Sequence, residues 1–168
     1  MNLAKLMWGT VALGAGTAAV IYVGRLNTFQ KRLEILTDFN VHKVDLSGIT
    51  LRVDVAFQNP SKGTVKIKFP TVRLYNGNSL LGYSAVVNKD FTIDSYGETK
   101  LDPLFIELKT LTLLTEAPSL LANVRKTGIL SVSGKILTTL NGRIPYEIVK
   151  PVSLTVPESL RSLLRLAA

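Results

Sequence analysis

From Leu6 to Gly24 the chain runs for 19 residues, LMWGTVALGAGTAAVIYVG, without a charged side chain. Lys5 precedes the run and Arg25 follows it. At about 1.5 Å per residue a helix of this length reaches roughly 28 Å, against a hydrocarbon core of about 30 Å. Residues 1–24 therefore read as an N-terminal membrane anchor that crosses the bilayer once, with the side of the membrane left open. A cleaved secretory signal competes with this reading. The short n-region MNLAK suits it, but the cleavage end suits it poorly. A cut after Ala18 or Ala19 leaves VIYVG apolar, and a cut after Gly24 puts Tyr22 where a small residue is needed.

Small residues are dense in the run. Ala12 with Gly16 and Gly14 with Ala18 form small-xxx-small pairs that let a second helix backbone approach closely. Trp8 and Tyr22 stand near its ends, where amphipathic rings prefer the interface. Beyond it, Leu26, Phe29, Leu33 and Leu36 recur at three- and four-residue spacing, so 25–40 is expected to be a connecting amphipathic helix.

The net charge is +8, with 20 basic residues distributed along the chain. Their aromatic neighbours form no RNA-binding pattern, so no nucleic acid is expected as a partner. Beside an anchor, anionic lipid headgroups are the more economical partner, through Arg25, Lys31, Arg32, Arg161 and Arg165. Cysteine is absent and His42 is the sole histidine, which disfavours thiolate or zinc chemistry. The 12 acidic residues do not cluster as calcium or magnesium requires. No serine is marked as a nucleophile, no glycine-rich phosphate loop follows a strand, and carboxylates such as Asp94 and Asp102 are not singled out. No catalytic residue, metal or cofactor is expected.

From Val41 the period becomes two. In ITLRVDVAFQNP, Ile49, Leu51, Val53, Val55 and Phe57 point one way and Thr50, Arg52 and Asp54 the other, which is a half-buried strand. Asn59-Pro60-Ser61 ends it. In TVKIKF, Val65, Ile67 and Phe69 are expected inward, with Lys66, Lys68 and Pro70 protecting an edge strand. Asn76-Gly77 is expected to supply two positive-φ residues to a hairpin, and Asn141-Gly142 marks another turn. Two strands are expected around Ser95-Tyr96-Gly97. A helical face of Leu111, Leu114, Leu121 and Val124 follows, capped by Gly128, with Pro118 either kinking the helix or starting a second one. The fold class is mainly β: a β-sandwich over 41–156 with one helix, then a short amphipathic tail, 157–168.

The stretch Ile49–Val86 resembles the start of the group 2 late-embryogenesis-abundant domain, also called the WHy domain. The resemblance lies in Asn59-Pro60-Ser61, the basic-apolar strand Val65–Phe69 and the hairpin ending in Leu81-Gly82. The order of IDSYGETKLDPLFIEL, LTLLTEAPSLLANV and SVSGKILTTLNGRIPYEIV extends it over about 41–155. It implies a fibronectin-like sandwich with one helix and a non-enzymatic role in stress protection or membrane-proximal interaction. Asn59 is the family's signature, and its amide can close a turn by bonding backbone two residues on. The alternative is a structural subunit of a membrane-associated assembly, such as an envelope complex or a lipid-containing virion, either homo-oligomeric or larger.

Overall fold

The computed structural model describes residues 33–45 and 47–158; the run Leu6–Gly24, the cations Arg25, Lys31 and Arg32, and the tail cations Arg161 and Arg165 lie outside them. Among the described residues no helix is long and apolar enough to cross a membrane.

The strand with the cleanest alternation organises the first sheet. β2 (Gly48–Gln58) carries Ile49, Leu51, Val53, Val55 and Phe57 inward, each 2% exposed or less, as their period of two requires. One edge of β2 pairs antiparallel with β1 (Glu34–Asp45). Its other edge takes β6 (Glu98–Lys100) and β7 (Leu104–Lys109) in turn. The second sheet runs β4-β3-β8-β9, from β3 (Val65–Asn76), β4 (Ser79–Tyr83), β8 (Ile129–Leu140) and β9 (Ile144–Thr155), with β5 (Asp90–Ile93) also on β3. The inward residues of both sheets, with Phe57, Leu51, Ile67, Leu74, Ile106 and Ile136 among the most enclosed, form one core.

The sheets meet along two seams. On one side Ser84 bridges Ile106, and β4 lies so close to β7 that a Cβ on Gly82 would stand 2.7 Å from the Glu107 carbonyl oxygen. Only glycine admits that approach. On the other side Lys150, which shares the inward parity of Val152 and Leu154 on β9, donates to the Ile35 carbonyl of β1. An inward-pointing charge of this kind blunts two strand edges at once.

Several expectations are corrected. Residues 34–40, expected in the connecting helix, begin β1, where Leu36 is exposed beside buried Ile35. Pairing with all of β2 offers this segment a full ladder, which outweighs its helical spacing. β3 is interior rather than an edge, flanked by β8 on one side and by β5 and β4 on the other. Its register jumps between Lys68 and Thr71, Phe69 takes φ 54° and turns out to solvent, and the proline without an amide hydrogen sits in the bulge. Thr138 Oγ1 donates to the Lys68 carbonyl there at 2.8 Å. In the first hairpin Asn76 closes β3 and only Gly77 has positive φ, whereas Asn141 and Gly142 both do.

Three strands, β5, β6 and β7, occupy the segment expected to hold two. Finally, of the two roles expected for Pro118 the second holds, so there are two helices where the fold class counted one. α1 (Thr110–Glu116) stops at Ala117, and Pro118 starts α2 (Pro118–Thr127) at the position that needs no amide hydrogen. The break rotates the faces, so Leu113, Leu120, Leu121 and Val124 are buried while Leu111 and Leu114 are exposed. Gly128, at φ 73°, caps α2 as expected.

Candidate functional site

The sequence-marked turn is a buried polar latch. Proline cannot continue the ladder of β2, so the chain leaves the sheet at Asn59. Asn59 is 2% exposed and every polar group of its amide is engaged. Its Oδ1 accepts from the Ser61 amide at 3.2 Å and the Ser61 hydroxyl at 2.6 Å, closing the expected turn. Its Nδ2 donates to the Gly63 carbonyl at 2.7 Å and the Asp94 carbonyl at 3.0 Å. Its backbone amide donates to Gly97 at 2.9 Å. The Ser61 carbonyl in turn accepts from the Tyr96 amide and the Ser95 hydroxyl.

The latch therefore joins two loops 35 residues apart, between the first sheet and the second. The sequence signalled Asn59, Pro60 and Ser61; it carried no mark for their partners Asp94 and Gly97, whose roles rest on backbone groups that any residue supplies, or for Ser95, which contributes its hydroxyl. Tyr96, at φ 57° and 66% exposed, tips the second loop. β1 starts at this same end, because Glu34 pairs with Gln58. The Gln58 amide donates to Glu98 at 2.7 Å and holds that carboxyl below its ordinary range, with Lys100 adding to the effect.

Charge divides the described residues in a second way. All 12 acidic residues of the chain but only 14 of its 20 basic ones fall within 33–158. Lys5, Arg25, Lys31, Arg32, Arg161 and Arg165 lie in residues 1–32 and 159–168, which hold no acidic residue. Most of the basic excess therefore flanks the charge-free run or sits in the tail. The remainder is uneven across the sandwich. β1, β2, β6 and β7 carry Glu34, Asp38, Asp45, Asp54, Glu98 and Glu107 against Lys43, Arg52, Lys100 and Lys109. β3, β4 and β8 carry Lys66, Lys68, Arg73 and Lys135 and no acid. Ala12, Gly14, Gly16 and Ala18 lie outside the described residues. His42 stands at the irregularity of β1 with its ring 5.0 Å from that of Phe105. Among the described residues no group of three or more histidine, cysteine or carboxylate side chains could hold a metal ion.

No protein-family model matches the chain, and no curated protein matches it. Solved structures are similar to it at low identity. A protein from Archaeoglobus fulgidus has 13% identity and a TM-score of 0.49, over 74% of this chain and 98% of that one. The protein AT1g01470 from Arabidopsis thaliana has 14% identity and a TM-score of 0.46, over 71% and 78%. A candidate late embryogenesis abundant protein has 14% identity and a TM-score of 0.44, over 91% and 88%. At these values the likenesses stand as findings and support nothing further about this chain.

Proposed function

We propose that this chain is a non-enzymatic, membrane-anchored β-sandwich of the WHy type, acting in stress protection or in interactions at the membrane surface. The observation that carries the reading is the charge distribution. A charge-free run of 19 residues is flanked by Lys5 and Arg25, and residues 1–32 and 159–168 together hold six basic residues and no acidic one. Cations bordering an apolar span meet anionic headgroups, each worth about 1 kcal/mol near such a surface. The resemblance in Asn59-Pro60-Ser61 adds support, because that turn is the built latch rather than a loose loop. Arginine at Ala15 costs roughly 2.5–3.5 kcal/mol on insertion scales. Ala15→Arg is expected to move the chain from the membrane to the soluble fraction or to block its insertion. Wild-type chain recovered in the soluble fraction without detergent contradicts the reading.

A second reading, a structural subunit of an envelope complex or lipid-containing virion, draws on the exposed leucines of α1, Leu111 at 72% and Leu114 at 40%. Size measurement after detergent extraction separates the two. A monomer fits the first reading, and a large oligomer of fixed size fits the second.

A further inference from the structure

We infer that the outer face of the second sheet docks on an anionic lipid surface, an inference that rests on the anchor reading. The face is assembled by register. Arg73 pairs with Tyr83 on one side and Lys135 on the other, Lys68 pairs with Thr139, and Tyr75 pairs with Ser133. Direct cross-strand partners share a face, and residues two apart on a strand share it too. Lys66, Lys68, Arg73, Tyr75, Tyr83 and Lys135 therefore stand together, opposite the buried Ile67, Val72, Leu74 and Ile136.

The face is only half neutralised. Asp90 takes Lys68 at 2.8 Å and Glu147 takes Lys135 at 3.3 Å, both from flanking strands. Lys66 and Arg73 have no ion-pair partner among the described residues. Lys135 also stands 5.0 Å from the centre of the Tyr75 ring, and Tyr83 is 66% exposed. Cations beside tyrosines match a headgroup layer, where charge is anionic and amphipathic rings are favoured. The outer face of the first sheet offers no such match. Arg52 is held by Asp54 at 2.9 Å, Lys100 lies 3.5 Å from Glu98, and Asp38 is placed directly opposite Asp54. A domain tethered at β1 therefore turns its second sheet to the bilayer.

The chain lacks cysteine, so a single introduced cysteine carries a single label. The test places a fluorophore at Ser131→Cys, on the outer side of β8, or at Phe105→Cys, on the outer side of β7. Each full-length variant is reconstituted in phosphatidylcholine vesicles containing phosphatidylserine and a headgroup quencher. Quenching is expected at Ser131→Cys and not at Phe105→Cys, and is expected to vanish in neutral vesicles or at high salt. Adding Lys66→Ala and Arg73→Ala is expected to shift the docking equilibrium by roughly 25-fold, about fivefold per cation. Equal quenching at both sites, quenching at neither, or quenching indifferent to lipid charge overturns the inference. Loss of quenching on adding duplex DNA at stoichiometric amounts overturns it as well, in favour of a nucleic-acid surface. Flotation with neutral vesicles tests the anchor separately: a chain that does not float there loses its anchor reading, while the contrast between the two labels in anionic vesicles still decides the face.

Discussion

The two sheets share a plan and differ in what interrupts them. In each, one strand, β2 or β3, has a long partner on one edge and two short strands in succession on the other. β2 runs through all its residues on one period. β3 breaks at Phe69-Pro70, so that the residues before and after the bulge reach the same face by different parity. The difference teaches how far hydrophobic alternation can be trusted. It sets the inward face wherever the ladder is continuous, and it fails within a residue or two of a proline that must be accommodated.

The sharpest way to break the comparison is to attack the continuous strand. Val53→Asp or Phe57→Asp buries an unpaired charge at a fully enclosed position and is expected to abolish folding. Phe57→Ala is expected to cost about 3–5 kcal/mol in denaturant unfolding. Arg52, next to Val53 on the same strand and outward, forms only an exposed pair with Asp54, and Arg52→Ala is expected to cost less than about 1 kcal/mol. Equal damage from Phe57→Ala and Arg52→Ala contradicts the register of the first sheet.

The latch joining the two loops should come next in size. Asn59→Ala strands the Ser61 hydroxyl and the Gly63 and Asp94 carbonyls in a buried setting. Its expected cost is about 2–4 kcal/mol, taking about 1–3 kcal/mol for each group left unmade and allowing for partial rescue by water. Asn59→Asp should be worse, because it removes both donors and faces two carbonyls with a charge. A thermal unfolding series checks both, and an Asn59→Asp protein as stable as wild type refutes the latch.

The smallest effect is acidic. Glu98, hydrogen-bonded by Gln58, and Asp45, hydrogen-bonded by Ser47 and paired with Lys43, both have carboxyls held below the ordinary range. A depressed folded value stabilises above the unfolded value, near pH 4, and that contribution is lost as pH falls further. Both groups lie on the first sheet and its end, so a mild loss of stability below about pH 4 is expected, and Glu98→Gln is expected to reduce it.

Much of the first sheet was legible because one residue type answers one requirement there. Ile49 to Phe57 alternate, Asn59-Pro60-Ser61 stops the strand, and Gly128 ends the second helix. The start of β1 was not legible. Leu33 and Leu36 suit a helix as well as a strand, and only the ladder to β2 decides between them. Phe69 and Leu111 misled for a related reason, since a bulge and a helix break each rotate the face that period alone assigns. At the candidate site the sequence marked one half of the latch, while the other half, apart from the Ser95 hydroxyl, consists of backbone groups without a residue signature. The cationic face was spread over strands distant in sequence and became visible only through register.

We propose a stable sandwich carried by a segment buried in a bilayer. Amide hydrogen exchange of the full-length chain in anionic vesicles addresses both parts at once. Slow exchange in β2 and β8 is expected together with slow exchange across Leu6–Gly24. A protected sandwich with Leu6–Gly24 exchanging as fast as a free peptide would contradict it.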